Sequence, residues 1–255
     1  MKPRALILHA TGTNRDHEAA LALECAGAQI EIIPLPTLRA LKAGWREYQL
    51  LVLPGGFAYA DALGAGKLLA LDLNVYFADM MREFVACGKP VIGICNGFQA
   101  LVRAGILPDE QHPATLTFNA SGHFECRWVT LAPTLTRCVW TRGLSELLYC
   151  PVAHGEGNFM LADDAQMADL YANEQVALRY VQPNGEDAGG AYPSNPNGSV
   201  ADIAGVCNPQ GNVLGLMPHP EDHIFEYQHP RHARGEQGQL GLALFRNGVQ
   251  YAAQM

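Results

Sequence analysis

Short apolar runs alternate with segments of helical period along the first half of the chain. The runs ALILHA, IEIIPL, YQLLVLPGG and KPVIGIC suit buried strands, whereas RDHEAALALECAG and NGFQALVRAG place apolar residues at helical spacing. Residues 63–86 are predicted to form one irregular helix. This alternation is typical of βαβ units, in which helices connect parallel strands. The pattern therefore predicts an α/β fold with a parallel central sheet.

From about residue 115 onward the sequence predicts mostly strands. Runs such as FECRWVTLA and ALRYVQ predict further strands that cover or extend the same sheet, and DDAQMADLYAN predicts one helix. Residues 182–199 are rich in Gly, Pro and Asn, which predicts a loop. IAGVCNPQGNVLGLM predicts a β-hairpin that turns at residues 209–212, and residues 239–255 predict an amphipathic closing helix.

Composition narrows the class of protein. The chain has 255 residues, 49% of them hydrophobic, and we expect a single domain over residues 1–255. A formal charge of -8 without a Lys or Arg cluster argues against a nucleic-acid or anionic-membrane surface. No apolar run is long enough for a signal segment or a membrane span, so we expect a cytoplasmic protein. Seven cysteines without a CxxC pair predict a reducing compartment and no zinc site.

A strand-to-helix elbow carries the first candidate for chemistry. In GICNG, Gly93 and Gly97 remove the Cβ atoms that would collide in a tight turn, so the Cys95 side chain is left exposed at the carboxyl edge of the sheet. A helix N-terminus there favours the thiolate form. The alternative is a buried structural cysteine, which is our interpretation of Cys87 at a helix end.

The sequence MPHPEDH supplies a candidate base with its partner. His219 and Glu221 follow a predicted strand at residues 213–217, and Pro220 favours an extended backbone at His219. At an extended i, i+2 spacing both side chains share a face, so Glu221 can hold one imidazole nitrogen while the other faces Cys95. A solvated surface turn is the alternative.

An anion-stabilising loop is the third component that a thiol nucleophile needs. LPGGF ends a strand with two glycines, so a backbone N–H can face a tetrahedral intermediate, and the N–H of Asn96 is the second candidate donor. Gln99 lies four residues after Cys95 on the same helical face, where it either contacts substrate or packs locally.

These pieces, in this order, resemble the class I, or triad, glutamine amidotransferases. GICNGFQ, PVAHGEGNF, the NPNGS loop and MPHPE resemble one branch of that family, the glutaminase subunits of phosphoribosylformylglycinamidine synthase. The resemblance extends over nearly the whole chain. It implies a flavodoxin-like fold with a mostly parallel sheet, helices on both faces and extra strands in the second half.

The resemblance also implies roles for particular residues. Cys95 is the expected nucleophile, His219 the general base and acid, and Glu221 its orienting carboxylate, while Gly56 and Asn96 supply the oxyanion N–H groups. Glutamine is hydrolysed through a γ-glutamyl thioester. The HGEG loop is expected near the glutamine site, with His154 in that loop and Glu156 meeting the α-ammonium group; a loop with a solvated acid is the alternative.

Partners follow from the same resemblance. The released ammonia would serve the ATP-dependent conversion of formylglycinamide ribonucleotide to formylglycinamidine ribonucleotide in purine biosynthesis. No cofactor is expected in this chain, because GAGKLL lacks the Ser or Thr and one glycine of a phosphate loop. ATP and magnesium are expected on a large synthase subunit, and a small bridging subunit is expected to join the complex.

The chain departs from the branch at three places. GGFAYADALGAGK keeps Asp61 but has Gly64 where relatives have Arg, which puts in doubt any salt bridge from this loop to a partner. Arg15 replaces a common Cys near the start. The long segment 222–238 is expected to form a loop at a subunit contact.

Two other classes compete with this interpretation. A metal-dependent hydrolase is suggested by a set of possible ligands in one short segment: His219, Glu221, Asp222, His223, His229 and His232. No HExxH accompanies them. A non-enzymatic relative with an oxidisable elbow cysteine is the third class, and such a protein would not need the HxE pair. An amidotransferase that serves a different synthetase also stays open.

Overall fold

A computed structural model describes residues 2–41 and 44–255. The strands in these ranges are β1 Arg4–His9, β2 Gln29–Pro34, β3 Leu50–Leu53, β4 Val91–Ile94, β5 Ala114–Thr117, β6 Glu125–Pro133, β7 Leu148–His154, β8 Asn158–Leu161, β9 Val176–Val181, β10 Ile203–Cys207 and β11 Val213–Leu216. The α-helices are α1 Asp16–Ala26, α2 Leu35–Ala40, α3 Lys67–Tyr76, α4 Ala78–Ala86, α5 Asn96–Arg103, α6 Asp164–Ala172 and α7 Leu242–Ala252.

One nine-stranded sheet organises the molecule, in the order β2-β1-β3-β4-β11-β10-β9-β6-β7. The pairs from β2 to β11 are parallel, and those from β11 to β7 are antiparallel. The central strands β3, β4 and β11 are buried along their whole length, as continuous apolar sequences such as LLVL require. The predicted α/β fold, with a parallel sheet and added strands in the second half, is confirmed.

Helices pack in pairs against this sheet. Helix α1 lies against α7, and α3 lies against α5, which also contacts β4 and β11. The β10–β11 hairpin and the closing helix α7 are found where the sequence predicts them. No helix in residues 2–41 or 44–255 has both the length and the apolar character needed to cross a membrane.

The single helix predicted for residues 63–86 is wrong. Two helices, α3 and α4, meet at Phe77, whose φ of -123° interrupts the helical backbone. Gly64 and Gly66 have positive φ, so the first helix begins only at Lys67. The preceding segment 57–66 contains only a short 3-10 helix, Ala58–Asp61, and lies beside the elbow helix α5.

Cys87 also differs from its predicted place in the core. It ends α4 with its backbone N–H bonded to Glu83, and its side chain is exposed. A helix C-terminus at the surface leaves this side chain outside the packed interface.

Candidate active site

The elbow between β4 and α5 has the predicted geometry. Cys95 has φ 49° and ψ -104°, a conformation that non-glycine residues rarely adopt. A Cβ at Gly97 would lie 1.9 Å from Leu53 O, and one at Gly93 would lie 2.8 Å from the Gly97 carbonyl carbon. Both glycines are therefore needed for α5 to approach β3 and β4 so closely.

The predicted exposure of Cys95 is wrong, because the residue is only 4% exposed. Segments from the second half of the chain cover it, and its Sγ lies 3.8 Å from the Ala153 carbonyl oxygen at the end of β7. The thiol instead faces a small cavity of about 140 Å³, which is lined by Gly56, Phe57, Asp61, Ala65, Cys95, Gln99, Phe118, Phe124, Ala153, His154, Gly155 and Glu156.

His219 and Glu221 form the predicted pair after β11. His219 Nδ1 lies 2.7 Å from Glu221 Oε1, and both residues are buried. Burial alone would lower the pKa of His219, but the Glu221 carboxylate and the hydrogen-bonded Cys95 side chain outweigh it and raise this pKa well above its usual value. Since Glu221 occupies Nδ1, the other ring nitrogen is the one available to Cys95.

The backbone that brings this pair together differs from the predicted extended form. Residues Pro220–Asp222 make one turn of 3-10 helix directly after His219, because Pro220 fixes its own φ at a helical value. Gly55 makes room for the imidazole, since a Cβ there would lie 2.6 Å from His219 Cε1. The second glycine of LPGGF thus lines the cavity while the first accommodates the base.

Both predicted oxyanion donors lie near the thiol. Gly56 lines the cavity, and Asn96 is the first residue of α5. In the described part of the chain, no hydrogen bond outside the helices and strands uses the backbone N–H of either residue. The Asn96 side chain is fixed, since Oδ1 accepts from Ala58 N and Nδ2 donates to Asp61 and Gln99.

Gln99 and Glu156 meet in the cavity wall. Gln99 is buried, and its Nε2 donates to the Glu156 carbonyl oxygen over 2.7 Å. The Glu156 carboxylate accepts from Ala65 N at 3.1 Å and from Arg103 Nη2 at 3.0 Å. The alternative of a solvated acid is therefore wrong: Glu156 connects the loop after β7 to the loop before α3.

Arg103 lies close to Gly64, the position at which the sequence resemblance implies an arginine. A Cβ at Gly64 would lie 3.6 Å from Arg103 Nη2, and Arg103 Nε donates to the Ala65 carbonyl oxygen over 2.8 Å. A guanidinium group from α5 thus lies beside position 64.

His154 belongs to a buried network that the sequence indicated only in part. Asn119 Nδ2 donates to the His154 carbonyl oxygen, so Asn119 Oδ1 accepts from His154 Nδ1 at 3.1 Å. His154 Nε2 lies 3.5 Å from Asn197 Nδ2. Burial, with a smaller effect of His219, lowers the pKa of His154 to about 3, so the ring is neutral.

Asn119 and Asn197 escaped prediction because each lies in a segment without periodicity. Asn197 is in the predicted loop 182–199, which has no helix or strand but is buried at this residue. Ser199 Oγ donates to Gly157 O and accepts from Phe159 N. The signal was the run NPNGS itself, in which small polar residues are typical of buried backbone contacts as well as of solvated turns.

The alternative ligand set for a metal ion is only half assembled. His219, Glu221 and Asp222 have possible ligand atoms within 4.8 Å of one another. His223 and His229 use Nδ1 in hydrogen bonds with main-chain groups, and His232 is exposed. His219 Nδ1 is hydrogen-bonded to Glu221 Oε1, as an acid–base pair requires, and only three of the six candidate ligands lie together, so the arrangement fits an acid–base pair better.

Comparison with known proteins gives one consistent result. The family model described as a CobB/CobQ-like glutamine amidotransferase domain matches residues 2–252. The chain is 52% identical to phosphoribosylformylglycinamidine synthase subunit PurQ of Treponema denticola, over 98% of this chain and 99% of that protein. It is 41% identical to PurQ of Dehalococcoides mccartyi, over 100% and 99%. A chain in the structure of PurLQS from Thermotoga maritima is 33% identical with a TM-score of 0.76, over 98% and 99%.

Proposed function

The chain belongs to the PurQ family of glutamine amidotransferases, and on this premise we propose that it is the glutaminase subunit of phosphoribosylformylglycinamidine synthase. It supplies ammonia for the conversion of formylglycinamide ribonucleotide to formylglycinamidine ribonucleotide in purine biosynthesis. The observation that carries this assignment is the 52% identity to a PurQ subunit over nearly both full lengths. Single-domain organisation over residues 1–255 and a cytoplasmic location are parts of the same proposal.

Cys95, His219 and Glu221 act as the catalytic triad. The Cys95 thiol passes its proton to the free nitrogen of His219 while Sγ attacks the side-chain carbonyl carbon of glutamine. The carbon–nitrogen bond then breaks, and His219 returns the proton to the leaving nitrogen, which departs as ammonia. Water, deprotonated by His219, attacks the γ-glutamyl thioester, and glutamate leaves as Sγ regains a proton.

Charge on the tetrahedral oxygen is stabilised by backbone donors. The Gly56 N–H on the cavity wall and the Asn96 N–H at the start of α5 act as the two donors. Glu221, which is 1% exposed, keeps His219 oriented and stabilises the imidazolium ion formed during transfer. Gln99, His154 and Glu156 shape the glutamine pocket around this centre.

The synthase half of the reaction takes place on another polypeptide. The similarity to a chain of PurLQS supports a complex in which this chain docks on a large synthase subunit together with a small bridging subunit. ATP and magnesium bind the large subunit, and the segment 222–238 is a subunit contact. Glutamine hydrolysis is slow until this complex forms.

Ammonia release from glutamine tests the assignment directly. The chain is assayed alone and with its copurified synthase subunits, with Cys95→Ser as the catalytic variant and Cys87→Ser as the matched control. We expect Cys95→Ser to lose at least about a thousandfold in rate because the nucleophile is removed, while Cys87→Ser stays near wild type. Equal rates for wild type and Cys95→Ser would contradict the triad, and copurification with a different synthetase would redirect the acceptor.

A further inference from the structure

The cavity in front of Cys95 has an acidic wall. Asp61 and Glu156 both line it, whereas no lysine or arginine is among the described residues that do so. His154, the other ionisable residue of the cavity wall besides Cys95, is neutral because its pKa is lowered to about 3, mainly by burial. The cavity is therefore suited to a ligand that carries a positive charge.

The two carboxylates of this wall differ in their partners. Glu156 pairs with Arg103 at 3.0 Å, so its charge is already compensated within the protein. Asp61 accepts a hydrogen bond from the neutral Asn96 amide at 3.0 Å, and none of the ion pairs found in residues 2–41 and 44–255 includes it. Burial, followed by the charge of Glu156, raises the pKa of Asp61. Asp61 is thus the carboxylate that a cation would stabilise most.

The backbone holds Asp61 in this place at a cost. Tyr59, Ala60 and Asp61 are three successive non-glycine residues with φ between 52° and 56°. Such residues cost about 1 kcal/mol or more each and persist where neighbouring structure enforces them, commonly at ligand sites. Here Tyr59 N donates to Thr11 O, and the Tyr59 hydroxyl donates to Asp72. This strained segment thus places the Asp61 side chain in the cavity wall.

We propose that Asp61 binds the α-ammonium group of glutamine and so selects α-amino acid amides over simple amides. This assignment rests on the proposed function. Glu156, which the sequence suggested for the same role, holds Ala65 and Arg103 instead. Asp61 is a specificity-determining residue, because its contact lies at the opposite end of the substrate from the amide that Cys95 attacks.

The test compares glutamine with glutaramate, the same amide without the α-amino group. Both substrates are assayed with the assembled synthase containing either wild-type chain or Asp61→Asn, a variant that keeps an acceptor for Asn96 Nδ2 but loses the charge. We expect Asp61→Asn to lower kcat/KM for glutamine about thirtyfold or more, chiefly through KM, because a buried charge is left unpaired. For glutaramate the variant should stay within about threefold of wild type.

Two control variants separate recognition from folding. Asp72 accepts a hydrogen bond from the Tyr59 hydroxyl and does not line the cavity. Asp72→Asn removes the same charge there, and it should change kcat/KM for glutamine and for glutaramate by the same factor. Glu156→Gln should likewise leave the preference for glutamine over glutaramate intact. Equal losses of both substrates in Asp61→Asn would overturn the proposal, as would a preference abolished by Glu156→Gln alone. Wild type that releases no ammonia would overturn the proposed function itself.

Discussion

The two sides of the cavity are built in different ways. On the chemical side, Cys95 follows β4 directly and His219 is the third residue after β11, and short turns with glycine or proline set their directions. On the opposite side, His154 and Asn197 come from the antiparallel half and the long loop after it, and side-chain hydrogen bonds hold them.

This difference separates the reacting groups from the buried network around His154 and Asn197, which we call the recognition side. A side chain placed by two or three backbone residues next to a strand is determined locally, so its position is robust to changes elsewhere. A side chain placed by a polar network depends on several distant segments that must fold together. The chemical side should therefore fail through single local changes, whereas the recognition side should respond through stability and substrate preference.

The largest effect is expected from Glu221→Gln on the chemical side. The variant loses the carboxylate that orients His219 and stabilises its protonated form, so kcat for glutamine hydrolysis should fall about a hundredfold to ten-thousandfold. Asp222→Asn is the matched control, since Asp222 is adjacent but has a pKa of about 6, raised mainly by burial and by Glu221. Its kcat should change less than about tenfold. Comparable losses in both variants would mean that bulk negative charge, and not the Nδ1 contact, is what His219 requires.

The elbow offers the next largest effect. A methyl group at Gly97 would lie 1.9 Å from Leu53 O, so Gly97→Ala must push α5 away from β3 and should cost about 3 kcal/mol or more in the free energy of unfolding. Gly105→Ala is its counterpart, because a Cβ there would have no atom within 4 Å and only the positive φ of 76° opposes the substitution, so we expect a cost of about 1 kcal/mol. Urea unfolding of both variants measures the difference between their losses in the free energy of unfolding. Equal losses would show that the elbow tolerates a Cβ at Gly97.

The contrast explains how far the sequence could predict the site. GICNG and MPHPE are contiguous motifs whose residue types indicate their chemistry, and Cys95, His219 and Glu221 are found together even though the backbone between His219 and Glu221 is not extended. The burial of Cys95 was missed because its cover comes from residues far along the chain, such as Ala153. The contacts of Asn197 were missed because a run of turn-forming residues has the same composition whether it is solvated or buried by distant parts of the chain.

The recognition side predicts a smaller, pH-dependent effect at His154. The pKa of His154 is lowered to about 3 in the folded state, against 6.5 in the unfolded state. The neutral ring therefore contributes its full stabilisation at pH values above the unfolded pKa, and this stabilisation is lost as the pH falls toward the folded pKa. Between about pH 7.5 and about pH 5.5 the wild type should lose about 1.4 kcal/mol through this residue, a loss that His154→Gln should not show.

His112→Gln is the opposite control for this measurement. The pKa of His112 is raised, chiefly by its hydrogen bond to Asp109, so its stabilisation is present at low pH and disappears as pH rises through the folded pKa. In His112→Gln the free energy of unfolding should therefore decrease more steeply as the pH falls, whereas in His154→Gln it should decrease less steeply. Urea unfolding at both pH values distinguishes the two, and parallel behaviour would mean that His154 accepts a proton in the folded state. The buried network would then have to rearrange around a charge beside His219, and the recognition side would be less rigid than its hydrogen bonds imply.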